Sequence, residues 1–355
     1  MDYNTLVLIW TGIILFGVAV YVILDGFDLG VGMMYPFVET DLDKTIIMNS
    51  VGPVWDANET WLILGGAALF GIFPIAYSVV LSGLYIPVIL LLMALIFRGV
   101  SFEFRGRSSE KHRHLWDKAF FYGSLFAGFF QGVIAGALVQ GFEFMPASDA
   151  INAPAGYVSK GALDLVMAGG AWGWVSPFTL LTGIGLTMFY ALLGSTWLIK
   201  KTQGRLQSRI RTLAKKTALW FFLLATLILI WTIGIWKNEL FEAANMWKIY
   251  LFAGAFILAI GMAFVLLSAI KRSTTHWQPF VYTLILTVLG AVCLVGFLLP
   301  YIVPFQVTIF QAAAPRSTLT FSLVGAVIFI PIVLIYTCYI YYVFRGKVPE
   351  DVVGY

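Results

Sequence analysis

The segment VILDGFDLGVG, Val22–Gly32, ends the first long apolar run of the chain and carries two acids, Asp25 and Asp28. Further along, the segment VWDANETWL, Val54–Leu62, opens the second apolar run with Asp56 and Glu59. Apolar runs of about 18 or more residues recur along the whole chain, and such runs are typical of membrane-spanning helices. The two segments therefore put four carboxyl groups beside the first two predicted spans.

The composition places the whole chain in the membrane class. Of its 355 residues, 60% are apolar and 11% are charged, whereas a soluble globular protein has about 25% charged residues. The sequence suggests no soluble domain, low-complexity tract or cleavable signal peptide, so we expect one transmembrane helical domain over residues 1–355. Cys293 and Cys338 both lie inside apolar runs, which favours small buried residues over disulfide or metal ligands.

Nine apolar spans predict an all-α polytopic membrane protein. They lie at about residues 6–24, 53–73, 77–97, 118–140, 177–199, 216–236, 248–270, 279–300 and 319–344, with a tight turn near Phe73 between the second and third. With nine spans, 18 of the 22 Lys and Arg residues fall on one side, and the other side has only Lys160, Lys237, Lys248 and Arg316. Because basic loops stay in the cytoplasm, the N-terminus is predicted outside and the C-terminus in the cytoplasm.

This orientation puts all four acids at cytoplasmic helix ends. Asp25 and Asp28 are spaced i, i+3, as are Asp56 and Glu59, so each pair shares a face if the helix continues there. Ionisable groups at membrane depth are costly and often line proton or substrate paths. Desolvation also favours the protonated form of a carboxyl group. One interpretation is therefore the mouth of a proton path from the cytoplasm.

A structural interpretation of the same acids stays open. On this interpretation, Asp56 and Glu59 only complement the N-terminal dipole of the second span. Asp25 and Asp28 would then lie in a solvated loop with Arg98 as their ion-pair partner. The third span returns to the same side at Arg98, with Glu103 and Arg105 just beyond it. The nearby glycines, Gly26, Gly30 and Gly32, permit either a close backbone approach or an unwound helix end.

The chain offers no convincing haem or copper site of its own. A membrane haem is held by His, Met or Cys at depth, and the only histidines, His112, His114 and His276, fall in predicted basic loops. No P-loop, nucleophile elbow or zinc motif is present. The inside bias and anionic lipids explain the basic loops without a nucleic acid. If the chain takes part in redox chemistry, a partner carries the cofactors.

Together these segments resemble subunit II of the cytochrome bd quinol oxidases. The similarity is carried by DGFDLGVG at Asp25–Gly32, WDANETWL at Trp55–Leu62, FRGVSFEFR at Phe97–Arg105, WVSPFTLLTGIG at Trp174–Gly185, WLIKKTQG at Trp197–Gly204 and YYVFRGKV at Tyr341–Val348. Their order and spacing fit over essentially the whole chain. The NETW that follows WDA is more similar to the cyanide-insensitive branch of the family.

The resemblance implies a heterodimer in the bacterial cytoplasmic (inner) membrane. Subunit I would carry two haems b, one haem d and the site that oxidises ubiquinol or menaquinol. The complex would reduce dioxygen to water and build a proton gradient by vectorial chemistry. Subunit II of this family has nine transmembrane helices and no haem ligands, and some members hold a structural quinone in it. A small single-span accessory subunit and membrane lipids are further expected partners.

The resemblance also implies roles for the acid cluster. The proton route proposed for the family matches Asp56 and, with it, Asp25, Asp28 and Glu59. Arg98 would balance the charge of the cluster or pair with Glu103. Trp55 and Asn58 would be its packing and hydrogen-bonding neighbours.

Two alternatives stay open at this point. A proton-coupled membrane transporter or channel would work as an isolated chain and would have a midplane ionisable site with broken helices in both halves. A purely structural subunit would only stabilise subunit I, and substituting Asp56 would then change activity no more than stability.

Overall fold

The computed structural model describes residues 1–142, 144–146, 157–160, 163–167, 170–242, 245–272, 274 and 276–349. Within these residues, the long helices are α1 (Tyr3–Met34), α3 (Trp55–Ile72), α4 (Pro74–Arg107), α5 (Glu110–Gln140), α6 (Pro177–Lys201), α7 (Gly204–Ile235), α9 (Met246–Lys271), α10 (Gln278–Leu298) and α12 (Arg316–Val343). Three short helices are α2 (Asp41–Asn49), α8 (Lys237–Leu240) and α11 (Ile309–Ala312). Single 3-10 turns cover Tyr35–Phe37 and Gly170–Trp172.

Short strands, which the sequence did not suggest, complete the described fold. Strands β1 (Phe144–Pro146), β2 (Tyr157–Lys160) and β3 (Leu163–Met167) form an antiparallel sheet in the order β1-β3-β2, with Met145 opposite Val166 and Val158 opposite Leu165. Strands β4 (Tyr301–Val303) and β5 (Val307–Thr308) form an antiparallel pair. These elements lie in connections between long helices, so the predicted helical class is confirmed.

Each of the nine predicted spans falls on one long helix. In the described part of the chain, eight helices are long and apolar enough to cross a membrane, and α3 is not among them. The helix α3 has 18 residues and carries Asp56, Asn58 and Glu59 in its first two turns, and these polar residues lower its hydropathy. The count of nine crossings and the orientation therefore stay predictions. The turn at Phe73 is confirmed, since α3 ends at Ile72 and α4 begins at Pro74.

The predicted end of the first span near residue 24 is wrong. Helix α1 continues through Asp25 and Asp28 to Met34, so these acids lie in a helix and not in a loop. The glycines of α1 allow α6 to approach α1 closely. A methyl group at Gly30 would lie 1.7 Å from the Tyr190 carbonyl oxygen, and one at Gly194 would lie 2.1 Å from the Gly30 carbonyl carbon. Backbone contact of this kind is what small residues allow between membrane helices.

The start of the fourth span is also earlier than predicted. Helix α5 begins at Glu110, so His112 and His114 lie in its first two turns, where both are exposed, and not in a loop. Asp117 lies two turns in and joins three elements: it receives hydrogen bonds from Tyr35 at 3.0 Å, from Lys44 of α2 at 2.8 Å and from Arg105 of α4 at 2.8 Å. This network fixes the connection between α1 and α3 over the ends of α4 and α5.

The helix ends pack in two separate groups. At the predicted outer end, Trp10 donates a hydrogen bond to the Leu319 carbonyl at 2.9 Å, and the Ala314 amide donates to the Ile72 carbonyl at 2.8 Å. These contacts join the start of α1, the end of α3 and the start of α12. At the opposite end, the second half of α1 is enclosed by α5, α6, α10 and α12, with Phe27 stacked on Trp197 at 4.3 Å. The four acids lie at this second end.

Candidate functional site

A single buried arginine collects three of the four predicted acids. The Arg98 guanidinium lies 2.8 Å from an Asp25 oxygen, 3.5 Å from a Glu59 oxygen and 3.7 Å from an Asp28 oxygen. The side chains of Arg98, Asp25 and Asp28 are fully buried, and that of Glu59 is 23% exposed. We call these four residues the Arg98 cluster.

Three helices position the Arg98 cluster. The continued helix α1 puts Asp25 and Asp28 on one face, as their spacing predicts. Helix α3 supplies Glu59, and α4 supplies Arg98 from a turn that packs closely on α5. A methyl group at Gly123 of α5 would lie 2.8 Å from the Arg98 backbone nitrogen. Glycine at this position therefore lets α5 close the bundle over the arginine.

Aromatic rings shield one side of the guanidinium. Trp55 and Phe102 stack at 4.9 Å with an angle of 6° between their planes. The Arg98 guanidinium carbon lies 5.7 Å from the Trp55 ring centre and 5.8 Å from that of Phe102. A cation at this distance from an aromatic face is stabilised by the ring quadrupole. Trp55 thus lies where the sequence analysis places it, as a packing neighbour of the cluster.

Asn58 connects the cluster to the far end of the chain. Its side-chain nitrogen donates to Asp28 Oδ2 at 2.7 Å, and its side-chain oxygen accepts a hydrogen bond from the Tyr341 hydroxyl at 2.9 Å. Asn58 is buried. Tyr341 was not anticipated, since it lies 283 positions from Asn58 and only its aromatic character and place in the last span were visible in the sequence.

The other two predicted residues lie outside this contact set. Asp56 is exposed in the first turn of α3, one turn before Glu59. Glu103 is exposed and pairs with Arg107 at 3.2 Å. The suggested pairing of Arg98 with Glu103 is therefore wrong. The physical reason is helix geometry: Glu103 is five residues from Arg98 and so points away from the face that carries the arginine.

A further polar chain enters the bundle from Asp25. Tyr21, one turn before Asp25 on α1, accepts a hydrogen bond from the Gln131 side chain at 2.7 Å. The Tyr190 hydroxyl donates to the other end of that amide at 2.7 Å. Tyr21 and Tyr190 are buried. These three residues were not predicted, because isolated Tyr and Gln in apolar runs carry no spacing signal.

The cluster has more hydrogen-bonding capacity than its contacts use. Both oxygens of Asp25, the Oδ1 atom of Asp28 and all three nitrogens of the Arg98 guanidinium are buried without a hydrogen bond of good geometry. Buried polar atoms of this kind are normally satisfied by ordered water or by a proton. Chemically, the arrangement is suited to holding water and exchangeable protons.

The described residues contain no group of three or more His, Cys, Asp or Glu side chains that could hold a metal ion. His276 lies in the connection between α9 and α10, where the Gln207 amide nitrogen lies 3.2 Å and an Arg211 nitrogen 3.3 Å from its ring. Partial burial, together with the positive charges of Lys347 and Arg211, lowers the pKa of His276 below its ordinary value. His276 is thus held in a peripheral polar contact at a helix connection.

The fold and the Arg98 cluster define a class: a polytopic helical membrane protein that keeps a buried arginine with surplus carboxyl groups at one end of its bundle. A sequence model of one family covers almost the whole chain, residues 6–344, and it describes cytochrome bd terminal oxidase subunit II. The chain belongs to this family.

Curated relatives agree with that assignment. Over 389 aligned residues, the chain is 29% identical to cytochrome bd-I ubiquinol oxidase subunit 2 of Escherichia coli strain K12, covering 99% of this chain and 97% of that protein. It is 30% identical over 337 residues to cytochrome bd ubiquinol oxidase subunit 2 of Bacillus subtilis strain 168, covering 92% and 91%. The fold is similar to a chain of the bd oxidase from Geobacillus thermodenitrificans, with a TM-score of 0.72 over 96% of this chain and 98% of that one at 15% identity.

The chain is therefore a subunit of a cytochrome bd terminal oxidase and a multi-pass protein of the bacterial cytoplasmic membrane. The resemblance stated from the sequence motifs is confirmed. Membership of this family also favours an oxidase subunit over a free-standing transporter or channel.

Proposed function

We propose that this chain is the haem-free subunit of a quinol:oxygen oxidoreductase and that it contributes a cytoplasmic proton inlet. The two curated relatives are named as ubiquinol oxidase subunits, which supports a quinol, either ubiquinol or menaquinol, as the electron donor. The partner is subunit I of the oxidase, and the complex couples oxygen reduction to a proton gradient.

The described histidines do not fit a haem. His112 and His114 are exposed near the start of α5, and His276 lies in a helix connection, so none reaches the bundle interior where a membrane haem is ligated. We therefore assign the two haems b and the haem d to subunit I. A structural quinone, a small single-span subunit and bound lipids remain part of the same proposal for the assembled complex.

The charge balance of the Arg98 cluster carries the proton proposal. If all three carboxyl groups were ionised, one buried arginine would face three negative charges within 3.7 Å. Removing charges from water is costly unless they are paired, so the cluster is most stable when its net charge is zero. In that state one carboxylate is ionised and the other two carboxyl groups are protonated. Asp25, at 2.8 Å, is the closest partner of Arg98. The cluster would then store protons on Asp28 and Glu59.

An increasing degree of burial gives this store an entrance. Asp56 is exposed, Glu59 is partly exposed one turn further along α3, and Asp28 is fully buried behind it. A proton that arrives at the predicted cytoplasmic surface would meet these three carboxyl groups in that order. In this proposal Asp56 has a place in the path as the outermost acid, although it makes no contact with Arg98.

The test is the quinol oxidase turnover of variants Asp56→Asn and Glu59→Gln, each purified with subunit I. We expect both complexes to assemble with normal haem content, and we expect turnover to fall because proton supply to oxygen reduction slows. Glu110→Gln is the matched control, since Glu110 is an exposed acid at the start of α5 outside the cluster.

A reduced-minus-oxidised visible spectrum of each preparation separates function from assembly. Full turnover with normal haem content in both variants would remove Asp56 and Glu59 from the proton path and leave a purely structural subunit. Loss of haem in parallel with turnover would indicate the structural role directly. A wild-type preparation that is colourless from well-preserved membranes would refute the proposed partner.

A further inference from the structure

A cationic cleft lies at the same end of the bundle, between the last turn of α6 and the segment that follows α12. It has a volume of about 390 Å³, and its lining includes Asn49, Trp197, Lys201, Tyr341, Val343 and Lys347. Among the described residues, the lining contains two lysines and no acid. This volume falls within the range of about 300–1,000 Å³ that is usual for small-molecule sites.

The cleft is built around a buried lysine. Lys201 is 4% exposed, and its ammonium group donates hydrogen bonds to the carbonyls of Phe344 and Gly346, the latter at 3.0 Å. The Val348 amide donates back to the Lys201 carbonyl at 2.9 Å. An ammonium group has three donors, so one remains after the two carbonyls. The segment from Phe344 to Val348 is thus fixed as one wall of the cleft.

A second lysine lies at the cleft. Lys347 is exposed and adds another cationic donor. Lys200 extends the positive charge, since its ammonium group lies 5.0 Å from the Trp197 ring centre. Within the described lining these cations have no counter-charge, so they match an anion with several acceptor oxygens, such as a phosphate.

An apolar surface continues from the cleft along α12. Val343 lines the cleft, and Tyr339 and Tyr336 lie four and seven residues before it, so the three share one helix face. Tyr339 and Tyr336 are 64% and 57% exposed. A ligand that fills the cleft with a phosphate can therefore lay an apolar body along this face. Free phosphate has no use for such a surface, whereas a membrane lipid does.

We propose that this cleft binds the phosphodiester headgroup of an anionic phospholipid, with Lys201 and Lys347 as donors and the exposed face of α12 as the surface for an acyl chain. Trp197 and Tyr341 have the amphipathic rings that are favoured at headgroup depth. Tyr341 also donates a hydrogen bond to Asn58, which in turn donates to Asp28. A lipid bound against Tyr341 would therefore be separated from Asp28 by Tyr341 and Asn58.

The test is native mass spectrometry of the delipidated complex with subunit I, titrated with phosphatidylglycerol or phosphatidylcholine. We expect wild type to bind one phosphatidylglycerol more tightly than phosphatidylcholine and Lys347→Gln to bind it about fivefold more weakly, the factor for one lysine at an anionic lipid surface. Lys347 is exposed and does not hold the Phe344–Val348 segment, so this variant keeps the cleft wall. Lys215→Gln, an exposed lysine on α7, is the control and should bind as wild type does.

Equal phosphatidylglycerol affinity in wild type, Lys347→Gln and Lys201→Gln would overturn the proposal, as would equal affinity for the two lipids. Displacement of the lipid by millimolar inorganic phosphate would show a site for a free anion and would also refute it. Since the readout is lipid binding and not turnover, its outcome is independent of the proton proposal.

Discussion

Removing the charge of Arg98 tests whether the guanidinium holds the cluster together. The variant Arg98→Met keeps an unbranched apolar side chain and leaves three carboxyl groups without the cation that lies 2.8 to 3.7 Å away. Breaking a buried ion pair by removing one partner costs about 3–5 kcal/mol. We expect Arg98→Met to lose this much, because the arginine and two of its acids are fully buried.

A second substitution shows whether the loss is electrostatic. Asp25→Asn removes the carboxylate closest to Arg98, so the double variant Arg98→Met with Asp25→Asn leaves less unpaired charge than Arg98→Met alone. Residues in direct contact show coupling of about 0.5–3 kcal/mol, and we expect the double variant to recover stability in this range. A packing defect alone would give no recovery.

Helix α4 provides a matched control. Arg107 is 81% exposed and pairs with Glu103 at i, i+4, and such pairs contribute about 0.3–0.5 kcal/mol. Titration of the purified complex with SDS, followed by far-ultraviolet circular dichroism, gives the free energy of unfolding of each variant. A loss below about 1 kcal/mol for Arg98→Met, equal to that of Arg107→Met, would refute the assignment of Arg98 as the cation of a buried cluster.

Two further predictions concern packing and pH. Gly30→Ala should destabilise the complex by about 1–3 kcal/mol or more, the usual cost of overpacking, since its methyl group would lie 1.7 Å from the Tyr190 carbonyl oxygen. Gly261→Ala, which has open space around it, is the control and should be neutral. Equal thermal midpoints for the two variants would contradict the close α1–α6 contact. The Arg209 guanidinium lowers the pKa of Glu39 below the ordinary value of 4.5, first by its hydrogen bond and then by its charge. Ionised Glu39 therefore stabilises the fold above about pH 4.5, and this stabilisation is lost as pH falls through the lowered pKa. Thermal midpoints of wild type and Glu39→Gln should therefore differ at pH 7 and converge in acid, and a difference that does not shrink as pH falls below 4.5 would refute the ion pair as its cause.

The sequence predicts the fold well where the physics is local. Apolar length located all nine long helices of the described residues, and i, i+3 spacing put Asp25 and Asp28 on one face. Helix ends were predicted less well, because the residue type alone does not show whether an acid is buried in a helix or exposed in a loop. Past residue 24, α1 packs closely on α6 at Gly30, a tertiary contact that hydropathy does not contain.

The candidate site was predicted only in part, and the reason is again tertiary. Within one helix, spacing tells which residues share a face, but it does not tell which neighbour covers that face. Arg98 was therefore found as a candidate partner of the acids, while Tyr341 was missed. The exposure of Asp56 and the pairing of Glu103 with Arg107 likewise follow from which side of α3 and α4 faces the bundle.

The surplus of acids is the strongest argument against a purely structural cluster. A structural role for Arg98 needs one carboxylate, and Asp25 at 2.8 Å supplies it. Asp28 adds cost to that arrangement unless it carries a proton, since it is fully buried and lies 3.7 Å from the same guanidinium. Asn58 already donates to Asp28 Oδ2, while the Oδ1 atom is buried without a partner. A carboxyl group with one oxygen fixed by a donor and the other free is arranged to take up a proton on the free oxygen. This asymmetry at Asp28 supports the proposed proton inlet over a simple ion pair.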